Sequence, residues 1–385
     1  MEIKIEDNKI FVEKDFSELR EKFFGTVKDN RLYLTVEECL YLNEMRNFEV
    51  KKDGKLLSFI DIIREFGGEK TFIRYNTYRE WRDRGLFLKR FELKNFGNVT
   101  KVSYPSKSLN FEKFKNLKIY FSPSDLISFV CEPEKFFKIF EDYWIGQYGV
   151  YKQHKKGKTF KLDIFETIFC KKFLLAKIFN IENNEEISEE EIFEFTKNKE
   201  VFKAIYEVYE DWRLRGFVVK TGYKFGSHFR IYFPGVSPTK SPKEWIHSQH
   251  VLHVFPKFER MLISEWSRAI RVAHSVRKTF IIGVPGMKES DYLDIELDFL
   301  AFHRDEKNRV LTPNNKPSYI LWCLGEDEYI GGAELGSALE IAESCGLDLL
   351  LAINGRESDV TYYLAKQIDL PESRFKYYEI RWFQP

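Results

Sequence analysis

A motif of tyrosine, tryptophan, arginine and glycine occurs twice in this chain of 385 residues, and it constrains the fold more than any other feature. The pattern Tyr-x-x-Tyr-x-x-Trp-Arg-x-Arg-Gly spans positions 75–85 and returns at 206–216. Aromatic residues at positions i, i+3 and i+6 form a stripe along a helix, and a glycine suits the residue that ends it. A short apolar run, typical of a strand, follows each glycine. The pattern predicts an internal duplication, with two similar helix ends on unrelated domains as the alternative.

The correspondence extends upstream of both copies. Residues 32–42 and 160–169 each have the pattern of a strand, a capping residue and an amphipathic helix. The predicted capping residues are Thr35 and Asp163. We therefore expect each unit to begin with a small mixed α/β lobe that precedes the tyrosine–tryptophan helix. After that helix the two copies diverge, and the first continues into a predicted strand at 117–121 and a predicted helix near 133–143.

The middle of the chain is related in the same way to its C-terminal part. Three runs correspond in the same order and at nearly the same spacing: 229–232 with 299–302, 247–254 with 316–323, and 273–278 with 342–347. Between the two segments, Tyr232, His247 and Lys278 change to Phe302, Lys316 and Leu347. The N-terminal copy has no histidine before His154. Joint loss of the three residues is expected if they act together, and it predicts a catalytic middle unit between two structural ones.

Composition limits the class of protein. Hydrophobic residues make up 43% of the chain and aromatic residues 17%, which favours folded domains over disorder, and the length suggests two or three of them. The net charge of +1 requires a nucleic-acid site to be a local basic patch. Five scattered cysteines without a Cys-x-x-Cys pair argue against a disulfide framework or a zinc site, and they fit a reducing cytoplasm. We expect no signal peptide and no membrane span.

Tyr232, His247 and Lys278 suit the cleavage of an RNA phosphodiester without a metal ion. The 2′-hydroxyl is the nucleophile, so that the reaction needs a base, an acid for the departing 5′-oxygen and a cation for the phosphorane. Histidine is a suitable acid near neutral pH, and a nearby cation favours the tyrosine phenolate. Taken singly, each residue has an ordinary structural role, as an interface tyrosine, a hydrogen-bonded histidine or a lysine at a helix C-terminus. Only the combination and its joint loss carry the prediction.

Four phrases of the sequence resemble the archaeal tRNA-splicing endonuclease family. They are Arg-Gly-Phe-Val-Val-Lys-Thr-Gly-Tyr-Lys-Phe-Gly at 215–226, Phe-Arg-Ile-Tyr at 229–232, His-Ser-x-x-x-Leu-His-Val at 247–254 and Arg-x-x-Arg-Val-Ala-His-Ser-Val-Arg-Lys at 268–278. The resemblance is specific over 206–285 and weaker over the N-terminal unit and the C-terminal third. Three linked units resemble the three-unit homodimeric class of this family.

The resemblance implies an α+β to α/β fold made of tandem repeats of one tRNA-endonuclease unit. Each unit combines a small N-terminal mixed α/β lobe with a nuclease-like C-terminal lobe, whose central mixed β-sheet is flanked by helices. The predicted domains are a degenerate N-terminal unit at 1–145, a catalytic unit at 146–285 and a structural C-terminal unit, similar to the catalytic lobe, at 286–385. The catalytic unit divides into an N-terminal lobe at 146–212 and a catalytic lobe at 213–285.

The resemblance also implies a tRNA-intron lyase, which cuts precursor tRNA at both intron boundaries within a bulge-helix-bulge. Tyr232 would be the general base, His247 the general acid and Lys278 the transition-state stabiliser. The products would carry 2′,3′-cyclic phosphate and 5′-hydroxyl ends, and no metal or other cofactor would be required. Because the segment between Tyr232 and His247 is longer than in many relatives, Tyr223 is the alternative base.

RNA-binding residues are implied in the same way. Arg271 matches a family arginine that clamps a bulge base, and Arg268 precedes it on the same predicted helix, whereas a second family arginine has no match within 292–298. The basic stretch 152–161 resembles an insertion that accompanies broader substrate tolerance, and a solvated hairpin tip is the alternative. The lysines predicted to contact RNA are Lys155, Lys156, Lys158 and Lys161.

The family assembles four units into a two-fold particle, in which an acidic loop of a structural unit docks into a basic groove on a catalytic one. Residues 355–359 match that loop, with Glu357 and Asp359 as its acidic residues. The resemblance thus implies a cytoplasmic homodimer with two active sites. Precursor tRNA would be its partner, and neither a membrane nor a small-molecule cofactor would be involved.

Two alternatives stay open. A non-catalytic RNA-binding or structural subunit of a splicing endonuclease would share the fold, but such subunits lack the tyrosine, histidine and lysine. A DNA-directed nuclease on a similar fold would hold metal ions with acidic residues of its core strands, as in an Asp…Glu-x-Lys arrangement. The segment 214–279 offers no such arrangement.

Overall fold

The structure is a computed structural model that describes residues 2–150, 156–238 and 247–385. Its architecture is mixed α/β, as predicted, with two small lobes packed against one large mixed sheet. Apolar side chains of the sheet pack on the second lobe from one side and on two helices from the other. A separate cluster joins the first lobe to one end of the sheet.

The first lobe is built from the N-terminal strands and helices. Its elements are β1 (Glu2–Glu6), β2 (Lys9–Val12), α1 (Ser17–Glu21), β3 (Thr26–Lys28), β4 (Arg31–Leu34), α2 (Val36–Arg46), β5 (Glu49–Lys52), β6 (Lys55–Leu57) and α3 (Phe59–Phe66). The strands form a sheet in the order β3-β4-β2-β1-β5-β6. The predicted cap is confirmed, because the Thr35 hydroxyl accepts a 3.2 Å hydrogen bond from N of Glu38, whose carboxylate accepts one of 3.0 Å from N of Thr35. This capping box starts α2 at the predicted residue.

The first copy of the motif lies on α4 (Thr71–Asp83). Tyr75, Tyr78 and Trp81 are buried, as the predicted aromatic stripe requires. The helix leads into β7 (Phe87–Arg90), and the short strand β8 (Val102–Ser103) lies in the connection that follows.

The second lobe resembles the first. Its elements are β9 (Lys118–Ser122), β10 (Ile127–Val130), α5 (Pro133–Tyr143), β11 (Gln147–Tyr148), β12 (Phe160–Asp163), α6 (Ile164–Leu174), β13 (Lys177–Asn180) and α7 (Glu189–Glu194). The strand order β11-β12-β10-β9-β13 matches the order β3-β4-β2-β1-β5 of the first lobe, whose sheet has β6 as a sixth strand. Asp163 and Glu166 form the same kind of capping box, with hydrogen bonds of 2.8 and 3.2 Å. This confirms the predicted cap at Asp163. The elements β9 and α5 likewise confirm the strand predicted at 117–121 and the helix predicted near 133–143.

The predicted boundary between residues 145 and 146 falls inside this second lobe. β9 and β10 come before it in the chain, yet β10 pairs with β12 and β9 pairs with β13, both of which come after it. A strand's hydrophobic pattern tells which face is buried but does not name its partner. Local patterns alone therefore place β9 and β10 in the first unit, because they follow its motif in the sequence.

The second copy of the motif lies on α8 (Lys199–Leu214). Tyr206, Tyr209 and Trp212 are buried there. The elements that follow are β14 (Val218–Thr221), a 3-10 turn (Tyr223–Phe225), β15 (Phe229–Tyr232), β16 (His250–Val254), β17 (Arg260–Leu262), α9 (Ile263–Ser275) and β18 (Thr279–Gly283).

The C-terminal segment completes the large sheet. Its elements are a 3-10 turn (Glu289–Asp291), β19 (Phe299–Phe302), β20 (Tyr319–Gly325), β21 (Tyr329–Gly331), α10 (Gly332–Ser344), β22 (Asp348–Asn354), β23 (Val360–Asp369) and β24 (Tyr377–Phe383). Over the described ranges, the sheet has 11 strands in the order β14-β15-β16-β18-β24-β23-β22-β20-β19-β7, with β8 beside β23. β17 and β21 pair separately.

Five consecutive elements of the middle segment correspond to five of the C-terminal segment. β15 corresponds to β19, and β16, β17, α9 and β18 correspond in the same order to β20, β21, α10 and β22, with nearly the same length of chain between the members of each pair. The strand registers agree with this spacing, since His250 faces Thr279 and Tyr319 faces Asp348. The two segments differ in the neighbour of the first strand. β15 pairs with β14, which precedes it closely, whereas β19 pairs with β7 of the first unit.

None of the helices in the described ranges is both long and apolar enough to cross a membrane.

Candidate active site

Strand topology brings the three predicted catalytic residues to one edge of the large sheet. Tyr232 is the last residue of β15, which runs antiparallel to β16, so that the end of β15 lies beside the start of β16. β16 runs parallel to β18, so that both strands start at this same edge. His247 lies three residues before β16 and Lys278 lies directly before β18.

Strand register also puts two of these residues on the same face of the sheet. Arg230 faces Val251 across one pair of strands, and Val251 faces Phe280 across the next. Side chains alternate between the two faces along a strand. Tyr232 and Lys278 each lie two residues from this row, so they extend it towards the edge on the same face.

Lys278 is largely buried, with 8% of its surface exposed. Its Nζ donates a hydrogen bond to the backbone oxygen of Ser248, the residue next to His247, and lies 5.3 Å from the centre of the Phe225 ring. Burial lowers the pKa of the Lys278 ammonium below its usual value, and the nearby Arg230 lowers that pKa further. The contact with Ser248 connects the lysine directly to the chain that carries His247.

A tight turn after α9 places Lys278 at the start of β18. N of Arg277 donates to the His274 oxygen at 2.9 Å, and N of Lys278 donates to the Ala273 oxygen at 3.0 Å. Arg277 has φ of 56°, a left-handed conformation that glycine adopts more readily. The corresponding turn after α10 has Gly346 at this position, with φ of 71°.

Tyr232 and Tyr223 lie at different ends of β15. Tyr232 is 3% exposed and its ring centre lies 5.0 Å from that of Trp144, which ends α5 of the second lobe. Tyr223 is 87% exposed and belongs to the turn that precedes β15. Tyr232 therefore lies at the strand end where β16 and β18 start, whereas Tyr223 lies before the opposite end.

His247 is exposed at the site, whereas its neighbour Ser248 is buried. An exposed His247 is accessible to a substrate that approaches the sheet edge from solvent. Tyr232, His247 and Lys278 thus lie at one edge of the sheet, with Tyr232 and Lys278 buried and His247 exposed.

The two predicted RNA-binding arginines lie on the exposed side of α9. Arg268 and Arg271 are three residues apart, which places them on one helix face. Arg271 lies near the Tyr363 hydroxyl of β23, and it opposes the rise in the pKa of Tyr363 that burial causes. At the position corresponding to Arg271, α10 has Glu340, which binds Lys376. The positive charge on this helix face is therefore a property of the middle segment.

The described part of the predicted basic stretch belongs to a ribbon beside β11 and β12. Lys156, Lys158 and Lys161 are exposed, whereas Lys155 lies outside the described residues. Backbone hydrogen bonds join the two sides of the ribbon, from N of Val150 to the Lys156 oxygen at 2.9 Å and from N of Gly149 to the Thr159 oxygen at 3.1 Å. Exposed lysines on such a ribbon are expected both for a solvated hairpin tip and for a loop that contacts RNA.

The predicted assembly loop connects β22 to β23. Glu357 and Asp359 are exposed. The guanidinium group of Arg356, which precedes them, donates hydrogen bonds of 2.7 and 3.0 Å to the Asp327 carboxylate. N of Arg356 also donates to the Glu326 carboxylate at 2.8 Å. These contacts fix the base of the loop, while its two predicted acidic side chains face solvent.

Sequence reasoning missed Arg230 as a residue of this site. Strand alternation was the available signal, because Arg230 lies two residues before Tyr232 and so shares its face.

Within residues 2–150, 156–238 and 247–385, no group of three or more histidine, cysteine, aspartate or glutamate side chains is placed to hold a metal ion.

Two domains of one family match the sequence. Residues 202–295 match the tRNA intron endonuclease catalytic C-terminal domain, and residues 1–63 match the tRNA intron endonuclease N-terminal domain. The first range runs from α8 through β18 and includes Tyr232, His247 and Lys278. The second range covers most of the first lobe.

Proteins named tRNA-splicing endonuclease are similar to the chain over longer stretches. One from Methanococcoides burtonii is 29% identical over 328 residues, which cover 71% of this chain and 92% of that protein. One from Methanosarcina mazei is 25% identical over 333 residues, with 71% and 91% covered. A shorter one from Thermococcus gammatolerans is 34% identical over 157 residues, 40% of this chain and 88% of the relative. The chain belongs to the tRNA-splicing endonuclease family, and its class is therefore that of a tRNA-processing endonuclease.

Proposed function

We propose that this protein cuts precursor tRNA at both intron boundaries within a bulge-helix-bulge, without a metal ion or other cofactor. In this reaction the 2′-oxygen attacks the adjacent phosphorus and the bond to the 5′-oxygen breaks. The products carry a 2′,3′-cyclic phosphate and a 5′-hydroxyl, which makes the enzyme a tRNA-intron lyase. It acts as a cytoplasmic homodimer.

Each of three side chains has one role in this reaction. Tyr232 takes the proton from the 2′-hydroxyl, and His247 gives a proton to the departing 5′-oxygen. Lys278 stabilises the negative charge of the crowded phosphorane. A bound phosphate also supplies the counter-charge that favours the ammonium form of Lys278, whose pKa is lowered in the free protein.

The observation that carries this proposal is the meeting of three strand ends. Residues that are far apart in the sequence meet at the end of β15, the start of β16 and the start of β18. The C-terminal segment has the same strands in the same register, yet Phe302, Lys316 and Leu347 occupy the corresponding positions. The fold alone therefore does not require the tyrosine, the histidine or the lysine.

We further propose that the chain belongs to the three-unit homodimeric class, with a revised division into units. The first lobe, α4 and β7 form a structural unit with the C-terminal segment from β19 onwards, since β7 and β19 pair in the register of β14 and β15. The second lobe and the strands from β14 to β18 form the catalytic unit, inserted between the two parts. Docking of the loop with Glu357 and Asp359 onto the catalytic unit of a second chain would hold the dimer together.

RNA contacts in this proposal come from α9 and from the ribbon of the second lobe. Arg271 clamps a bulge base with Arg268 beside it, and Lys156, Lys158 and Lys161 contact the phosphate backbone. Neutralising the lysines is expected to weaken cleavage of non-standard introns first, and an equal loss on all substrates would contradict that role.

The decisive experiment uses a radiolabelled bulge-helix-bulge RNA with excess chelator. Wild type is compared with His247→Ala and Tyr232→Phe, with Tyr223→Phe as the matched control, and the product ends are analysed. We expect cyclic phosphate ends from wild type and the control, and loss of cleavage in the other two variants. Activity that survives in Tyr232→Phe but not in Tyr223→Phe would make Tyr223 the base.

Two other results would replace the proposal. Tight binding of intact RNA by wild type would indicate a non-catalytic RNA-binding or structural subunit of a splicing endonuclease. Cleavage that appears only after a divalent metal is added would remove the metal-free mechanism.

A further inference from the structure

Arg230 is a second cation on the sheet face that carries Lys278. It lies on β15, and its Nε donates a 2.8 Å hydrogen bond to the backbone oxygen of Thr221 on β14. This bond fixes one edge of the guanidinium group against the neighbouring strand. Among the described residues, neither Arg230 nor Lys278 has a carboxylate within ion-pair distance.

Lys220, the cation next to Arg230, forms an ion pair with a carboxylate, whereas Arg230 does not do so with any residue that the structure describes. Lys220 lies directly opposite Arg230 on β14, and its Nζ binds the buried carboxylate of Glu166 at 2.5 Å. The ordinary way to hold a partly buried cation on this face is therefore a carboxylate from the second lobe. Arg230 and Lys278 have no such partner in the described part of the chain. They share one face of the sheet, and the charge of Arg230 adds to burial in lowering the pKa of Lys278.

Two like charges held together without a counter-charge destabilise a folded protein. The C-terminal segment shows that the fold has an uncharged solution at the same two places. Leu300 and Leu347 occupy the positions of Arg230 and Lys278, and both leucines are buried in one apolar cluster with α10. The two cations are thus unnecessary for the sheet, and their joint presence on one face points to an anionic ligand.

We propose that Arg230, together with Lys278, binds a phosphate group of the RNA at the cleavage site. Arg230 uses its Nη groups, because its Nε is held by Thr221, and planar guanidinium groups bind two phosphate oxygens at once. Arg230 orients the phosphate, whereas Lys278 contacts the oxygen that gains charge in the reaction. The inference rests on the proposed function only for the identity of the ligand, since two cations without carboxylate partners bind any phosphate.

The inference is tested first by binding of a non-cleavable RNA. The probe is a bulge-helix-bulge RNA with 2′-deoxy residues at both cleavage sites, and its affinity is measured at several salt concentrations. We expect Arg230→Leu to bind about 10- to 100-fold more weakly, as is typical for loss of a hydrogen bond between charged groups. The slope of log affinity against log salt should fall by about one per site.

Matched variants separate a phosphate contact from a structural role. Arg230→Lys keeps the charge but not the bidentate geometry, so it should keep the salt slope and regain part of the affinity. Arg260→Leu removes an exposed arginine of β17, in the same middle segment, and should leave the affinity and the salt slope unchanged. Unfolding curves confirm that each variant folds. Equal affinity and an equal salt slope for Arg230→Leu and wild type would overturn the inference.

A second arm needs no RNA. Inorganic phosphate should raise the Tm of wild type more than that of Arg230→Leu, because a ligand that binds only the folded state stabilises it. Equal shifts would count against the site. If wild type failed to cleave RNA, the proposed function would fall, and the phosphate arm would still decide whether Arg230 and Lys278 form an anion site.

Discussion

The hydroxyl of Tyr104 donates a hydrogen bond of 2.5 Å to Oε1 of Glu379. This bond joins the connection after β7 to the C-terminal strand β24. Nδ1 of His250, the first residue of β16, lies 3.2 Å from the same hydroxyl, and Arg381 binds the other oxygen of Glu379 at 2.7 Å. Burial is the main cause that raises the pKa of Tyr104 and lowers that of His250 to about 4. Tyr104 and His250 are thus held neutral between three parts of the chain.

Tyr104→Phe is expected to destabilise the protein by about 1–3 kcal/mol, because it leaves the buried carboxylate of Glu379 without one of its donors. Urea unfolding measures the change. Tyr120→Phe is the matched control, since Tyr120 is a half-buried tyrosine of β9, and its loss should stay within about 0.5 kcal/mol. Equal losses in the two variants would show that the hydrogen bond contributes nothing.

The two copies of the motif offer a matched test of their terminal glycines. Gly216 has φ of 86°, and a Cβ there would lie 2.4 Å from the Lys107 oxygen, whereas Gly85 has φ of 74° and open space around it. Gly85→Ala should therefore cost about 1–2 kcal/mol for the left-handed conformation alone. Gly216→Ala should cost about 1–3 kcal/mol more, because the backbone must also move. Calorimetric or urea unfolding of the two variants measures the difference, and equal costs would contradict the close approach of residue 107.

Acidification is expected to destabilise the protein through His228 and His253. Their ring centres lie 4.6 Å apart, and burial lowers the pKa of His228 to about 4 and that of His253 to about 3. Since both values lie below the value near 6.5 of an unfolded chain, the unfolded state binds more protons, and stability falls as the pH drops below 6.5. Each histidine should account for about 2 kcal/mol at pH 5.

The measurement is the free energy of unfolding between pH 5 and pH 8 for wild type and His253→Phe. The variant should lose less stability on acidification, by the contribution of one histidine. His247→Asn serves as a control because that side chain is exposed. A pH dependence that is unchanged in His253→Phe would show that His253 is not held neutral in the folded protein.

Charge reversal of the loop between β22 and β23 is expected to weaken assembly. Glu357→Lys with Asp359→Lys should lower the molar mass in solution from that of a dimer towards that of a single chain, as measured by sedimentation or light scattering. The control Glu289→Lys with Glu306→Lys makes the same charge change at exposed positions elsewhere. An unchanged mass in the loop variant would contradict the docking role.

The base of that loop gives an independent test of the same idea. Asp327→Ala removes both hydrogen bonds that hold the Arg356 guanidinium group, without changing Glu357 or Asp359. We expect a weaker dimer because a loop that must be ordered on docking loses conformational entropy. Cleavage at protein concentrations high enough to restore the dimer should recover, and a variant that dimerises as tightly as wild type would show that the anchoring is unimportant.

Local sequence patterns determined much of this protein. The capping boxes at Thr35 and Asp163, the buried stripes of α4 and α8 and the helix α5 lie where the residues predicted them, because caps and helical periodicity are properties of neighbouring residues. The sequence alone also shows the constant spacing between corresponding residues of the middle and C-terminal segments. Together with the chemistry of a tyrosine, a histidine and a lysine, it predicts that Tyr232, His247 and Lys278 act as a set.

Tertiary structure decided which strands share a sheet and which charges lack partners. Nothing in β7 shows that its neighbour is β19, and nothing in β9 shows that it belongs with β13, since a strand's alternation fixes its buried face but not its partner. Arg230 is one of many arginines in the sequence. Only the folded sheet places it on the same face as Lys278 and opposite Lys220, whose Nζ binds Glu166. The reason is physical: periodicity is local, whereas strand pairing and charge balance depend on residues that are far apart in the chain.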